Sequence, residues 1–123
     1  MESFFYKDNE LWCEDVRIAD IASRVGTPAY VYSRASVRNH CAWFEDSLRV
    51  IPHLSCYAVK ANAGAPILRE IARAGLGADV GSYGELHLAL RAGFAPGTIT
   101  FSGVGKRDDE IEFALKAGIH SLN

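Results

Sequence analysis

Short apolar runs and longer helical patterns succeed each other regularly along most of this chain. Apolar runs at residues 54–59, 76–80 and 98–101 are each followed by a segment in which apolar residues recur every three or four positions. Short apolar runs between turn signals predict buried strands, and the recurring spacing predicts amphipathic helices. A further strand is predicted at residues 119–122. Strands that alternate with helices are typical of βαβ units and a parallel sheet.

The ends of the predicted helices carry consistent signals. Three of them end with a basic residue, an alanine and a glycine, at Arg73-Ala74-Gly75, Arg91-Ala92-Gly93 and Lys116-Ala117-Gly118. A glycine after a basic last turn indicates a helix C-terminus. Pro66 suits the first turn of the first of these helices. The helix boundaries are therefore predicted independently of the apolar spacing.

The first part of the chain is less regular. Residues 4–13 alternate weakly and predict a strand pair with a turn, and residues 18–25 follow helical spacing. The apolar run at residues 29–32 predicts another strand. Ser33 is suited to cap a following helix. The core face of that helix is predicted to be Val37, Cys41, Phe44 and Leu48.

Two architectures fit a parallel sheet of this kind. A doubly wound open sheet carries a glycine-rich turn after its first strand, whereas residues 60–64 contain a lysine and one glycine. This favours a (β/α)8 TIM-type barrel, which needs eight units and about 250 residues. The predicted fold class is therefore α/β, with about the first half of such a barrel. We expect the chain to be the N-terminal part of a larger protein.

Composition narrows the classes of function. The chain has 123 residues, of which 49% are hydrophobic and 23% charged, and its formal net charge is −2. Without excess positive charge, neither nucleic acid nor an anionic membrane is an expected partner. No apolar run approaches the roughly 20 residues of a membrane span, and the N-terminus does not resemble a signal peptide. The scattered cysteines, Cys13, Cys41 and Cys56, predict a reduced, cytoplasmic protein.

Lys60 is the principal candidate functional residue. It ends the run Tyr57-Ala58-Val59-Lys60-Ala61-Asn62, so a cation follows a buried strand directly. In an α/β barrel the carboxyl ends of the strands carry the catalytic groups. A lysine there can hold an anion or form an imine with a carbonyl group, and its spacing alone leaves both uses open. Asp79 ends the neighbouring predicted strand at the same rim.

Several motifs together resemble those of the barrel-type (fold type III) pyridoxal-phosphate amino-acid decarboxylases. The run around Lys60 resembles the lysine motif of this family. Four more stretches are similar to family segments in the same order: residues 26–32, 77–86, 91–94 and 99–106. This set most resembles the diaminopimelate decarboxylases. One departure is Tyr83, where the family commonly has a glycine, and it matters only if Tyr83 points over the cofactor.

The resemblance implies a function and a site. It implies that the full-length protein decarboxylates meso-diaminopimelate to L-lysine, with Lys60 attaching pyridoxal 5′-phosphate as an imine and Asp79 near that lysine. It also implies a small-molecule amino-acid substrate and a homodimer. Residues 1–25 would contribute to a β-domain completed by downstream sequence, and residues 26–123 would begin the cofactor-binding barrel. The 123-residue chain alone is expected to be inactive.

Three rival interpretations stay open. The first is another enzyme of the same fold type, such as an ornithine or arginine decarboxylase or an alanine racemase. The Tyr-Gly-His of alanine racemases is missing at residues 63–65. The second is a non-catalytic pyridoxal-phosphate-binding protein, and the third is a truncated remnant. Residues 4–13 argue against the second, which would lack a β-domain.

Three further motifs favour structural roles. Ser82-Tyr83-Gly84-Glu85 has the spacing of a helix capping box. Residues 102–106 fail the phosphate-loop pattern, and Gly103 and Gly105 are predicted to let that loop turn tightly. No pair of histidines has metal-ligand spacing, so no metal is predicted; the four are His40, His53, His87 and His120.

Overall fold

The computed structural model of the protein describes residues 3–123. Three antiparallel strands come first, two helices follow, and a four-stranded parallel sheet with its connecting helices forms the remainder. Met1 and Glu2, which belong to the predicted N-terminal segment, lie outside the described residues.

The N-terminal strands form a hairpin with one added strand. β1 (Phe4–Lys7) pairs antiparallel with β2 (Glu10–Cys13), which pairs antiparallel with β3 (Val16–Arg17). The residues between β1 and β2, Asp8 and Asn9, have φ values of 52° and 62°. Two successive positive φ values make a type I′ turn, whose twist matches that of the paired strands. The strand pair and turn predicted from the sequence are confirmed.

The segment after the hairpin differs in part from the prediction. α1 (Ile18–Val25) is helical as predicted, and the chain turns at Gly26 with a φ of 81°. Residues 29–32 form no strand and pair with none among the described residues, so the strand predicted there is wrong. Tyr30 is 92% exposed. The apolar run has β propensity, but a strand also needs a neighbouring backbone to complete its hydrogen bonds.

The cap of the next helix also ties it to the hairpin. α2 (Arg34–Leu48) begins after Ser33, whose Oγ accepts a hydrogen bond of 2.9 Å from the backbone N–H of Ser36. The same hydroxyl donates to Oε1 of Glu14 over 2.7 Å. The predicted cap is confirmed, and it links α2 to the end of β2.

The predicted core face of α2 is only partly buried. Cys41 is buried, and Val37 and Leu48 are half-buried. Phe44 is 48% exposed, contrary to the prediction. Phe44 instead lines a cavity of about 540 Å³ on this side of α2, together with Tyr57. Helical spacing identifies the apolar face, but neighbouring elements decide whether it is covered.

The parallel sheet accounts for the rest of the chain. Its strands are β4 (Cys56–Ala58), β5 (Gly77–Val80), β6 (Ile99–Phe101) and β7 (Ser121–Leu122). The helices that connect them are α3 (Ala65–Arg73), α4 (Tyr83–Ala92) and α5 (Asp108–Ala117). Every predicted strand and helix of this region is present, although the strands are shorter than the apolar runs. Gly93 and Gly118 follow α4 and α5 in the left-handed conformation, as the helix-end signals predicted.

The strand order bears on the choice between the predicted barrel and the competing doubly wound sheet. The order is β4-β5-β6-β7, and each neighbouring pair is parallel. Right-handed crossovers between strands in an unreversed order place their helices on one face of the sheet. A doubly wound sheet instead reverses its order at a switch point. No reversal occurs within residues 3–123, which agrees with the barrel-type α/β arrangement.

The two faces of the sheet differ in character. The first face is fully buried, and its side chains are Ala78, Val80, Ile99 and Phe101. It packs against apolar residues of the helices, among them Leu68, Leu86, Ala89 and Ala114. The residues that alternate with these point to the second face. The strand register places four of them side by side: Ala58, Asp79, Thr100 and Ser121. All four are half-buried, so the second face is both more polar and more accessible.

Candidate functional site

Lys60 lies in a tight turn directly after β4. The turn is a single 3-10 turn at Val59–Ala61. Val59 is fully buried, whereas Lys60 is exposed. The buried neighbour anchors the backbone while the amine stays accessible. Within residues 3–123, the side chain of Lys60 forms no hydrogen bond or ion pair.

The residues that follow Lys60 are held by local hydrogen bonds. The hydroxyl of Tyr57 donates to the backbone oxygen of Asn62 over 3.3 Å. The side-chain Oδ1 of Asn62 accepts a bond of 2.8 Å from the backbone N–H of Gly64. A side-chain oxygen that bonds the backbone two residues later forms an Asx turn. The path from β4 to α3 is therefore fixed on both sides of Lys60.

Asp79 lies on β5, in line with Ala58 of β4 and Thr100 of β6. Its Oδ1 accepts a hydrogen bond of 3.1 Å from Oγ1 of Thr100. The same oxygen also accepts a short hydrogen bond from Oγ of Ser102. Its other oxygen, Oδ2, has no hydrogen-bond donor among the described residues. The carboxylate is thus fixed through one oxygen and has the other available.

The hydrogen bonds continue across the carboxyl ends of the strands. Nδ2 of Asn123 donates to Oγ of Ser102 over 3.3 Å. Oγ of Ser121 donates in turn to Oδ1 of Asn123 over 3.1 Å. A connected set of polar groups therefore runs from β7 to Asp79 on β5. Networks of this kind hold their members in one arrangement.

Thr100 and Ser102 were not identified as site residues from the sequence. A signal was present, since the two hydroxyl residues alternate with the fully buried Ile99 and Phe101. Period-two alternation places them on the same face of β6 and its extension. Only the side-chain hydrogen bonds of the folded chain, however, show that both reach the same oxygen of Asp79.

The loop after β6 packs tightly against the loop after β5. A Cβ atom at Gly103 would lie 2.3 Å from the backbone oxygen of Gly81, whereas one at Gly105 would meet nothing within 4 Å. Neither glycine has a positive φ. The structure therefore gives Gly103 a different role from the predicted tight turn, namely close approach between loops. Lys106 braces the same loop by donating hydrogen bonds to the backbone oxygens of Gly103 and Asn123.

The start of α4 confirms the predicted capping role of Ser82. Its Oγ accepts a hydrogen bond of 3.3 Å from the backbone N–H of Glu85, and Oε2 of Glu85 accepts one of 2.7 Å from the N–H of Gly81. The Tyr83 ring lies 4.8 Å from that of Phe113 in α5, measured between centroids. Tyr83 therefore packs on the helix side of the sheet, away from the face that carries Asp79. The departure from the family pattern at Tyr83 does not affect the candidate site.

Neither a metal site nor a membrane span is found among the described residues. Across residues 3–123, no group of three or more His, Cys, Asp or Glu side chains is arranged to hold a metal ion. None of the helices in this part of the chain has the length and apolarity needed to cross a membrane.

The sequence is similar to a known protein family and to curated proteins of that family. The family described as "Pyridoxal-dependent decarboxylase, pyridoxal binding domain" matches residues 34–123. The diaminopimelate decarboxylase of Pseudomonas aeruginosa is 46% identical over 123 residues, which are 100% of this chain and 30% of the relative. That of Vibrio cholerae is 47% identical, again over 100% of this chain and 30% of the relative. This chain spans about 30% of the length of these curated relatives.

Solved structures are similar over the same extent. A crystal structure of diaminopimelate decarboxylase from M. jannaschii in complex with L-lysine matches with a TM-score of 0.94 and 29% identity. The match covers 99% of this chain and 30% of that one. A protein from Aquifex aeolicus matches with a TM-score of 0.93 and 36% identity, over 98% of this chain and 30% of its own. The similarity in fold and in sequence therefore extends over nearly the whole chain.

Proposed function

We propose that this chain, which belongs to the pyridoxal-dependent decarboxylase family, is the cofactor-attaching part of a diaminopimelate decarboxylase. The whole protein would convert meso-diaminopimelate to L-lysine and carbon dioxide. The observation that carries the proposal is the exposed amine of Lys60 at the carboxyl end of β4, inside the segment 34–123 that matches the pyridoxal binding domain. The names of the similar proteins support the choice of substrate.

The residues of the site fit pyridoxal phosphate. A cofactor with an aldehyde needs an accessible primary amine, and Lys60 supplies one on a backbone fixed by the buried Val59. The open face beside it carries Asp79 and the hydroxyls of Thr100 and Ser102, which suits a polar ligand. When bound, the cofactor supplies an acceptor for the electrons that remain after the substrate carboxylate leaves.

Three residues of the candidate site would have different roles in holding the cofactor. Lys60 would attach the cofactor through its ε-amine. Asp79 would place a negative charge on the open face of the sheet where the cofactor would bind. The hydrogen bonds of Asn62 would hold the backbone of the turn from which the Lys60 side chain projects. These roles require no movement of the sheet, which is why a rigid strand end suits them.

The complete architecture is part of the same proposal. Residues 26–123 would form the first half of a (β/α)8 barrel, because four parallel strands in unreversed order are present where the barrel has eight. Residues 1–25 would contribute to a β-domain. The remaining strands, the other groups that hold the cofactor and a homodimer interface would belong to the rest of the protein. We therefore expect no decarboxylation by the 123-residue chain alone.

The substrate assignment is tested by assay of the full-length protein. Purified protein with pyridoxal phosphate is incubated with meso-diaminopimelate, ornithine or arginine, and carbon dioxide and the amine product are measured. We expect carbon dioxide and L-lysine from meso-diaminopimelate only. Lys60→Ala should abolish the reaction, whereas Lys116→Ala, which removes an exposed lysine of α5, should leave it unchanged. Turnover of ornithine or arginine with no turnover of meso-diaminopimelate would refute the assignment.

A further inference from the structure

The hydrogen bonds to Asp79 converge on one side of its carboxylate. Oδ1 accepts from Thr100 and from Ser102, whereas Oδ2 has no donor within residues 3–123. A carboxylate held at one oxygen by two hydroxyl groups cannot rotate freely about its last bond. Its second oxygen therefore keeps a fixed direction on the open face of the sheet.

Thr100 is the more rigid of the two donors. It lies within β6, and its backbone is paired with Asp79 on one side and with Ser121 on the other. A β-branched side chain in a strand has few rotamers. Ser102 is exposed and lies beyond the end of β6. The position of Oγ1 of Thr100 is thus set by the sheet itself.

We propose that Thr100 is a positioning residue for cofactor chemistry, acting through Asp79 and assisted by Ser102. It holds Oδ1 so that Oδ2 is directed toward the ligand bound at Lys60. This inference rests on the proposed function, since it requires a ligand on that face. Thr100 itself contacts Asp79 and is not assigned a contact with substrate.

Two threonines close together in sequence, one within β6 and one just before it, offer a matched pair of variants. Thr100→Val keeps the shape and β-branching of the side chain and removes only the hydroxyl. Thr98→Val makes the same change in the 3-10 turn Pro96–Thr98 that precedes β6, where Oγ1 donates to the backbone oxygen of Ala95 over 2.8 Å and the residue is half-buried. Thr100→Ser restores the hydroxyl in a smaller side chain. All three are made in the full-length protein.

Steady-state kinetics and cofactor binding are measured together. For Thr100→Val we expect kcat to fall about tenfold or more with KM nearly unchanged, because a hydrogen bond to a charged group is lost. The dissociation constant of pyridoxal phosphate, from fluorescence, should rise several-fold. Thr98→Val should behave as wild type, and Thr100→Ser should recover most of the lost kcat.

Two results would overturn the inference, and they differ from failure of the proposed function. If Thr100→Val matches Thr98→Val in kcat and in cofactor affinity, the hydroxyl does not position Asp79. If Thr100→Ser is as impaired as Thr100→Val, the position matters only for packing. In both cases borohydride reduction would still attach the cofactor to Lys60. Absence of that adduct in the wild-type protein would refute the proposed function and this inference together.

Discussion

Glu70 of α3 accepts a hydrogen bond of 2.7 Å from Nε of Arg38 in α2. The same carboxylate forms ion pairs with Arg34 of α2, over 2.8 Å, and with Arg73 of α3, over 3.2 Å. Only 11% of the Glu70 side chain is exposed, whereas each arginine is more than half exposed. One shielded carboxylate therefore connects α2 and α3.

The Glu70 cluster should make stability depend on pH. The hydrogen bond from Arg34 and, after it, that from Arg38 lower the pKa of Glu70 from 4.5 to about 2. Because the pKa is lower in the folded state, the stabilisation is complete above pH 4.5 and is lost as pH falls toward 2. Glu70→Gln should therefore lower stability at pH 7 and have a smaller effect at pH 3, as measured by urea unfolding.

The control for this prediction is Glu112→Gln. Glu112 pairs with Lys116 at the surface, and both side chains are about two-thirds exposed. Exposed pairs contribute little, so this variant should match wild type at both pH values. An equal loss of stability for Glu70→Gln at pH 7 and at pH 3 would show that the ion pairs are not responsible.

Glu110 should stabilise the start of two helices at once. Its Oε1 accepts from the backbone N–H of Tyr83, at the start of α4, and its Oε2 from that of Arg107, before α5, both over 2.9 Å. These bonds, that from Arg107 foremost, lower the pKa of Glu110. Glu110→Ala should lower Tm by several degrees because two N–H groups lose their partner.

Glu110→Gln is the informative comparison. Glutamine retains one acceptor oxygen, so it can keep one of the two hydrogen bonds to the backbone. The Tm of Glu110→Gln should therefore fall less than that of Glu110→Ala. Differential scanning calorimetry of the wild type, Glu110→Gln and Glu110→Ala measures the three Tm values. A Tm for Glu110→Ala equal to that of wild type would contradict the bridging role.

Gly103→Ala should destabilise the packing of the loops after β5 and β6 without altering any polar side chain. The new methyl group would lie 2.3 Å from the backbone oxygen of Gly81, so the loops after β5 and β6 must separate. Overpacking of this kind costs about 1–3 kcal/mol. Because Ser102 precedes Gly103, cofactor affinity should also fall. Gly105→Ala, which meets nothing within 4 Å, should change neither quantity.

The contrast between the two glycines is measured by urea unfolding and by cofactor titration. Equal behaviour of Gly103→Ala and Gly105→Ala would mean that the two loops are not in close contact in solution.

Most secondary structure was predictable because its causes are local. Helix ends at Gly93 and Gly118, the cap at Ser33 and the strand at β5 follow from a few neighbouring residues. The strand predicted at residues 29–32 failed for the opposite reason, since a strand depends on a partner elsewhere in the chain. The prediction that Phe44 is buried was wrong for a similar reason, because the spacing of apolar residues does not show which element covers a helix face.

The positions of Lys60 and Asp79 in the fold were predictable to a similar extent, while their roles stay a prediction. Lys60 and Asp79 were identified from a strand end and from motif resemblance, and the structure places both at the carboxyl edge of the sheet. The hydrogen bond from Thr100 to Asp79 joins residues 21 positions apart in sequence. Such a contact depends on the register of β5 and β6, which no local pattern determines.

The central claim is that Lys60 attaches the cofactor, and covalent mapping tests it most directly. The full-length protein is incubated with pyridoxal phosphate, reduced with borohydride and digested, and the labelled peptide is sequenced by mass spectrometry. We predict a single cofactor adduct on Lys60, and none in Lys60→Ala. An adduct on another lysine, such as Lys106 at the same rim, with Lys60 unmodified would contradict the account.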